Sequence, residues 1–287
     1  MLSIFSKNKK VLGLDITEEY IRYSLISVGS GSNKVLMCGE EKIARVEPRN
    51  ALLSAIRNII NKTKCKNAHV SFPSDFIHTE TVALQSSQKE ILPDIELRLK
   101  EKNVFSFTDA ILYFEKFESV NKKDFYNVFI SSRDNVSFLR SVFVNSGLNV
   151  RKIVSHKDAL LASCVKSGEI INTMVLNVEK LRTDIAIFSP FNRFKAITSL
   201  SEDKTASLIK ETYQDFYEIS GDKIGYFFIS GSLAADTSFI NSLSRQTRLP
   251  IQEADVFVNF EIAKNELPPV TRKESFIYAL ALGTALS

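Results

Sequence analysis

The 287-residue chain has no tryptophan, only three cysteines and only three histidines. Cys38, Cys65 and Cys164 are far apart and form no CxxC pair, so neither a disulfide framework nor a zinc site is indicated. None of the histidines belongs to an HExxH spacing, and we interpret all three as structural residues.

Long apolar runs are also missing. No stretch approaches the ~20 consecutive apolar residues that a membrane-spanning helix needs. The first apolar residues of the chain are too few for the core of a signal peptide, and no small-residue cleavage site follows them. We therefore expect a cytoplasmic protein.

A strong excess of one charge is absent as well. The chain carries 37 basic and 33 acidic residues, a net charge of +4, and the two signs are interleaved. This pattern does not favour a nucleic-acid partner. A hydrophobic content of 44% is typical of a globular protein, and the length suggests about two domains.

The first segment of the chain predicts a mixed α/β layer. Three strands are expected over 11–43, separated by a tight turn at TEE and a hairpin turn at 29–33. A helix follows Asn50, with its apolar residues spaced at 3.6. A buried strand, Ala68–Phe72, then ends at Pro73.

The middle of the chain, 74–155, has a different character. We expect four strands and two helices there, in the form of a small α+β insertion: strands Ile77–Leu84, Ala110–Phe117, Phe125–Ser131 and Leu148–Val154, a charged helix Ser87–Lys102 and a helix Arg133–Ser146. The charged helix is most simply a solvated face, and a docking surface is the alternative.

The remainder, 157–287, repeats the first theme. Three strands are expected within 173–198, in the same strand–turn–strand–strand order as 11–43. A long helix Ser201–Ile219, a strand leading into the turn Ser230–Ser232, and a closing helix Glu274–Leu286 complete the prediction.

This duplication directs attention to five segments that resemble, in order, the PilM proteins of type IV pilus assembly, relatives of the cell-division protein FtsA. The segments are MLSIFSKNKKVLGLDI, VSFPSDFIHTETVAL, FISSRDNVSFLRSVFVNSGLNVRKI, FFISGSLAADTSFINSLSRQTRLPIQEADVF and ALALGTAL. The resemblance implies an actin-like (ribonuclease H-like) α/β fold with two duplicated lobes. Residues 1–73 would form the first lobe, 74–155 an inserted α+β subdomain, and 157–287 a second lobe whose second-jaw subdomain is reduced or absent.

In the actin-like ATPase fold, two hairpin turns grip the phosphates of ATP from opposite sides of a cleft. The resemblance places the corresponding nucleotide positions on seven residues, which we interpret as vestigial: Asp15, Thr17, Asn177, Thr183, Ser230, Gly231 and Ser232. No catalytic residue and no metal ligand is assigned.

Several departures from the family pattern argue against ATP binding. Thr17 stands where a glycine would let backbone N–H groups approach a phosphate. Asn177 replaces a carboxylate that could hold magnesium, and Glu179 places negative charge where a phosphate should sit. The stretch between Thr183 and Ser230 is too short for the family's second jaw. ATP and Mg²⁺ are therefore disfavoured as cofactors.

Plainer interpretations exist for the same residues. Asp15 suits a turn or a helix cap once both phosphate turns are altered, and Thr183 suits the start of a strand. Arg22 is the one residue that could supply the basic group of the first turn. The Ser230–Ser232 turn lacks the GxSxG spacing of a nucleophile elbow.

The function that the resemblance implies is a non-catalytic scaffold of a type IV pilus or a related secretion platform, at the cytoplasmic face of the inner membrane. Its partner would be the short cytosolic tail of a single-span, PilN-like membrane protein, held in a groove between the strands Ala68–Phe72 and Ile77–Leu84. By position, Phe72, Phe76 and Ile77 are assigned to this groove.

Two alternatives stay open. One is a functional actin-like ATPase with drifted motifs, and the other is an FtsA-like membrane-tethered filament protein, although the chain ends in ALALGTALS without an amphipathic tail. A homo-oligomer is compatible with either. The leader, with Leu2, Ile4 and Phe5 close to lysines, predicts only weak association with a membrane.

Overall fold

The computed structural model describes residues 9–17, 19–29, 33–44, 48–72, 77–85, 87, 90–101, 109–120, 122–166, 168, 171–180, 182–189, 197–199, 204–262 and 272–287. The chain forms two compact units. The first combines Met1–Phe72 with Phe143–Ser287, and the second is Pro73–Val142.

Strands and helices alternate along the chain. The strands are β1 (Lys9–Ile16), β2 (Tyr20–Val28), β3 (Asn33–Lys42), β4 (Asn67–Ser71), β5 (His78–Gln85), β6 (Ala110–Val120), β7 (Lys123–Ser132), β8 (Asn149–Val154), β9 (Thr173–Val178), β10 (Thr183–Phe188), β11 (Ile197–Ser199), β12 (Tyr226–Ser230), β13 (Ile251–Glu253) and β14 (Glu261–Ile262). The α-helices are α1 (Pro48–Thr63), α2 (Ile91–Glu101), α3 (Arg133–Ser146), α4 (His156–Cys164), α5 (Thr205–Ser220), α6 (Thr237–Thr247) and α7 (Ala279–Leu286).

The first unit contains two sheets of related topology. In one sheet the strand order is β14-β3-β2-β1-β4-β8, and in the other it is β11-β10-β9-β12-β13. Each begins with an antiparallel meander of three strands, followed by strands that run parallel to the first of them. The internal repeat seen in the sequence is therefore a repeat of strand topology.

Two helices lie at the centre of the first unit. Helix α7 contacts β1, β2 and β4, helix α4 contacts β9 and β10, and the two helices contact each other. Their approach is very close, because a Cβ atom added at Gly283 would lie 1.7 Å from the Ala159 carbonyl oxygen. Side chains from both sheets and both helices share one buried apolar cluster.

Three further helices cover other surfaces of the first unit. Helix α1 buries Ile56 and Ile59 and contacts β2 and β3. Helices α5 and α6 contact each other, and their residues Phe216 and Leu243 join an apolar cluster with the strands of the second sheet. In the described part of 184–229, α5 is the only helix.

The second unit is a three-stranded antiparallel sheet, in the order β5-β7-β6, packed against α2. The sequence placed the end of the insertion at 155, whereas this unit ends at Val142. The difference arises because β8 pairs in parallel with β4 and so belongs to the first sheet. Ile95 and Leu99 of α2 are fully buried, so the charged helix is amphipathic rather than wholly solvated.

Some helix bounds differ from those that the sequence predicted. The expected closing helix is a 3-10 segment, Arg272–Tyr278, followed by α7. The expected long helix begins at Thr205 rather than at Ser201, which falls outside the described residues. Among the helices of the described residues, none has the length and apolar character needed to cross a bilayer.

Candidate functional site

The two hairpins of the first unit contribute charged side chains to one buried cluster. Three carboxylates and three basic side chains take part, and all six residues are at most 8% exposed. We call this cluster the buried ion network: Asp15, Arg22, His156, Glu179, Arg182 and Asp184.

The strongest link between the hairpins is the pair Arg22–Glu179. Arg22 Nη1 donates to Glu179 Oε1 at 2.5 Å and Nη2 donates to Oε2 at 3.4 Å, which is a bidentate arrangement. Arg22 Nε also donates to Glu40 Oε2 at 3.0 Å. Burial opposes the charge of Arg22, but the carboxylate of Glu179 outweighs it and raises the pKa of the guanidinium. Arg22 thus neutralises Glu179 at the second phosphate turn.

The second link is His156, which begins α4 and lies between two carboxylates. Its Nε2 is 3.1 Å from Asp15 Oδ1 and its Nδ1 is 3.2 Å from Asp184 Oδ2. Both ring nitrogens face acceptors, and only the doubly protonated imidazolium can donate to both. Burial lowers the pKa of His156, yet the attraction of Asp184 and the hydrogen bonds with both carboxylates outweigh burial and raise it above its usual value.

Arg182 completes the balance of charge. Its Nε donates to Asp184 Oδ2 at 2.9 Å. Burial acts against the guanidinium charge, but the carboxylates of Asp184 and Asp15 raise its pKa overall. With His156 protonated, the buried ion network has as many cations as anions and is electrically neutral.

Tyr20 lies directly over this network. The guanidinium carbon of Arg22 is 4.1 Å from the centre of the Tyr20 ring, a cation–π contact. Burial and the nearby charge of Glu179 raise the pKa of the Tyr20 hydroxyl well above its ordinary value. The phenol therefore stays neutral.

In the first phosphate turn, Thr17 uses its own side chain to close the loop. Its Oγ1 donates to the Tyr20 carbonyl at 2.9 Å and accepts from the N–H groups of Tyr20 and Glu19. These two backbone N–H groups are thus occupied within the turn. The sequence suggested a turn or cap role for Asp15. The structure shows instead that Asp15 lies inside β1 and is 1% exposed.

The turn between β9 and β10, which the resemblance aligns with a second phosphate turn, also makes hydrogen bonds within the protein. Thr183 Oγ1 is 2.8 Å from Thr205 Oγ1 at the start of α5. Asn177 pairs with Asp184 in the β9–β10 register, and its Oδ1 accepts from Ser230 Oγ at 3.3 Å. The side-chain oxygen of Asn177 is thus already hydrogen-bonded to Ser230.

The segment Ser230–Ser232, which the resemblance aligns with the adenosine motif of the PilM proteins and which we call the adenosine turn, joins the same system. Ser232 Oγ donates to Glu179 Oε2 at 2.5 Å. Gly231 has a φ of 90°, and an added Cβ would lie 2.5 Å from the Val178 carbonyl oxygen, so only glycine fits here. Its N–H donates to the Phe276 carbonyl at 3.1 Å.

The geometry does not fit a magnesium nucleotide. Glu179 is directed at Arg22 and Ser232, the first turn's amides are bonded to Thr17, and Asn177 has no carboxylate to offer a metal. Within the described residues, the buried atoms Asp15 Oδ2, Asn177 Nδ2 and Arg182 Nη2 have no hydrogen-bond partner. Their mixture of one acceptor and two donors suits enclosed water better than a polyphosphate.

The residues assigned to a partner groove are located as follows. Phe72 is buried, and its ring centre is 6.2 Å from that of Phe143. Ile77 is also buried, and Phe76 lies outside the described residues. Their role in binding a partner stays a prediction.

The sequence did not reveal His156, Arg182 or Asp184 as members of the site. A weak signal was present in the strand Thr183–Phe188, where an aspartate interrupts a buried apolar run. His156 carried no signal, because its two partners are distant in sequence and only the fold brings them together.

No protein-family model matches the chain, and no curated protein matches it in sequence. Solved structures do match. A chain of a PilM–PilN type IV pilus biogenesis complex superposes with a TM-score of 0.75 at 12% identity, covering 97% of this chain and 98% of that one. The fold is that of the actin-like ATPases.

Two other structures support this assignment. A *Bacteroides thetaiotaomicron* protein with an actin-like ATPase fold has a TM-score of 0.55 at 12% identity, with 98% of both chains covered. The cytoplasmic domain of EpsL, an inner-membrane component of the type II secretion system of *Vibrio cholerae*, has a TM-score of 0.55 at 10% identity, covering 96% and 95%. The predicted α/β class and the likeness to PilM are confirmed at the level of fold.

Proposed function

We propose that this protein is a non-catalytic scaffold of a type IV pilus or related secretion platform. The observation that carries the proposal is the superposition, over almost the whole of both chains, on a chain of a PilM–PilN complex. The similarity to the cytoplasmic domain of EpsL supports a position at the inner membrane.

The buried ion network supports the non-catalytic part of the proposal. In an actin-like ATPase the two hairpins leave space and donors for phosphates, whereas here Arg22 and Glu179 are bonded to each other. A phosphate could bind Arg22 here only by displacing Glu179. The phosphate and the displaced carboxylate would then repel each other by about 4 kcal/mol, for unit charges at 4 Å and an effective dielectric of 20. This ion pair supports the proposal that the two hairpins of this chain do not bind a nucleotide.

The partner that we propose is the cytosolic tail of a PilN-like membrane protein. The inserted second unit offers a surface for it, because its sheet has two edge strands, β5 and β6. Tyr113 on β6 is 61% exposed, and its ring centre lies 6.0 Å from that of Phe129. An exposed tyrosine on an edge strand, packed beside a half-buried phenylalanine, suits an extended apolar tail.

Two measurements on the full chain test the proposal. In a pull-down, the cytosolic leader of the candidate membrane partner should retain the protein. If the leader does not retain it under any condition tested, the scaffold assignment is refuted. Titration calorimetry with Mg-ATP should give no heat of binding in the micromolar range. A low-micromolar dissociation constant would instead favour a working ATPase.

A further inference from the structure

One end of the first sheet carries a cavity of about 220 Å³ that belongs to neither the ion network nor the adenosine turn. Three of its lining residues are cationic and none carries a carboxylate. We call this cavity the basic pocket, lined by Lys9, Lys10, Val11, Asn67, His69 and Arg151.

Strand order explains why these cations converge. Strands β1 and β4 are parallel, and so are β4 and β8. The N-terminal ends of the three strands therefore lie at the same end of the sheet. Lys9 and Lys10 begin β1, and Arg151 lies near the start of β8. Arg151 Nε donates to Asn67 Oδ1 at 3.1 Å, which holds the guanidinium at the pocket.

The cations at the pocket act on His69. His69 Nδ1 is 3.2 Å from the Thr284 carbonyl, an acceptor, so that nitrogen carries the proton. Burial lowers the pKa of His69, and the charges of Lys152 and Lys9 lower it further against the opposing effect of this hydrogen bond. Lys152 itself is bonded to the Ser287 carbonyl at 2.8 Å and is not counted with the pocket.

We propose that the basic pocket binds the phosphate-bearing headgroup of an anionic phospholipid, so that this end of the first sheet docks on a membrane surface. A guanidinium and two ammonium groups around one cavity suit a phosphate ester, with Arg151 as a planar donor and the lysines as point charges.

One further observation favours a lipid over a soluble phosphate. The sequence places Leu2, Ile4 and Phe5 within a few residues of Lys9, so apolar side chains are joined covalently to the pocket. A lipid surface can receive such side chains, whereas a free phosphate cannot. The proposal does not depend on the PilN-like partner, because the pocket is complete within this chain.

Co-sedimentation of the full chain with vesicles tests the proposal. Vesicles of phosphatidylcholine mixed with an equal part of phosphatidylglycerol should bind the protein weakly, less so as salt is added, and pure phosphatidylcholine vesicles should not. Arg151→Gln should lower the partition coefficient about fivefold, since one basic residue near an anionic surface contributes about that factor. Arg151→Lys, which keeps the charge, should retain most of the binding.

Arg151 is the decisive position, because it is remote in sequence from the basic leader. A leader that bound lipid without the pocket would not respond to Arg151→Gln. The matched control is Lys210→Gln, an exposed cation on α5, which should leave the partition coefficient unchanged. Equal melting temperatures of the two Arg151 variants would show that the charge, not the fold, has been altered.

Three outcomes would overturn the proposal. The first is equal partitioning of Arg151→Gln and the unaltered protein. The second is displacement from vesicles by glycerol phosphate at concentrations comparable to the accessible lipid, which would identify a soluble phosphate ligand. The third is that Arg151→Gln no longer retains a partner peptide in a pull-down but still binds vesicles. This result would identify the pocket as a peptide-docking site.

Discussion

At the scale of single residues, the molecule is characterised by opposite charges enclosed far from water. Arg22 and Glu179 belong to different hairpins and different sheets, and each is the other's principal partner. Enclosing charges in this way costs desolvation energy that their attraction and hydrogen bonds offset. The pair therefore adds little net stability, but it makes the loss of either partner very costly.

We expect Arg22→Met to lower the free energy of unfolding by about 3–5 kcal/mol, because it leaves the buried carboxylate of Glu179 without its cation. Lys62→Met is the matched control. It removes an exposed lysine from its pair with Glu41 and should cost less than about 1 kcal/mol. Urea denaturation measures both.

The double variant Arg22→Met/Glu179→Gln tests the cause of this loss. Since it removes both charges, it should be more stable than Arg22→Met alone. If the single variant and the exposed control cost the same, the pair is not a buried ion pair in solution.

His156 predicts a pH dependence of known sign. Its pKa is raised in the folded protein, so the stability that it contributes is complete below the unfolded value of about 6.5 and is lost as the pH rises through the folded value. We expect the free energy of unfolding to fall between about pH 6.5 and 8, by at most about 1.4 kcal/mol per pH unit.

The variant His156→Gln should remove this slope over the same range. His69→Gln is the control and should keep it, because the lowered pKa of His69 changes stability only below about pH 6.5. Denaturation curves at a series of pH values measure the slope. A stability that is constant or rises from pH 6.5 to 8 in the unaltered protein would contradict a protonated His156 in the network.

Residues of the site differed in how far the sequence could predict them. Asp15 and Glu179 were identified because they lie near the end of β1 and directly after β9, in segments whose order along the chain is that of a known fold. His156 and Asp184 were not, because Asp15, His156 and Asp184 come from three separate segments, and hydrogen bonds at such separations depend on tertiary packing.

At the scale of elements, the apolar helix α7 packs with its backbone very close to the backbones of α4 and β1. A Cβ at Gly283 would overlap the backbone of α4 at Ala159, and one at Gly13 of β1 would lie 2.1 Å from the Ala281 carbonyl oxygen. Two glycines, one in the helix and one in the strand, thus permit three elements to approach closely.

We expect Gly283→Ala to destabilise the protein by about 3 kcal/mol or more, the upper end of the cost of overpacking, because backbone rather than a flexible side chain obstructs the new methyl group. Gly147→Ala is the control. Its φ of 75° disfavours alanine by about 1–2 kcal/mol, but no atom lies within 4 Å of the new Cβ. Equal costs in thermal or urea denaturation would show that α4 and α7 separate readily.

The strands were easier to predict than the ends of the helices. Alternating or continuous apolar runs identified β1, β2 and β9, because the burial pattern of a strand follows from the order of apolar residues within it. The 3-10 segment before α7 was missed. There the Phe276 carbonyl accepts a hydrogen bond from Gly231, a contact between distant segments that no local pattern indicates.

At the scale of the whole molecule, the chain separates a duplicated unit from an inserted one. The first unit encloses the buried ion network and packs helices α4 and α7 against each other, and its two sheets repeat one topology. The second unit has its own small core, formed by α2 and one face of the sheet, and exposes Tyr113. We propose that recognition of the partner belongs to this second unit.

We expect deletion of 73–142, with a short linker in its place, to abolish retention by the cytosolic leader of the membrane partner. The ends can be joined because the rings of Phe72 and Phe143 are 6.2 Å apart, centre to centre. The deletion must not extend to 155, because β8 is a strand of the first sheet and its loss would leave an edge of β4 unpaired. A pull-down measures retention.

The truncated chain must also be shown to fold. Its two sheets and helices α4 and α7 share a core to which the deleted residues do not contribute, so we expect a single cooperative transition in urea. A truncated chain that folds and still binds the leader as strongly as the full chain would place the partner's site on the duplicated unit. Binding that disappears while this transition persists is the result expected if the insertion alone carries recognition.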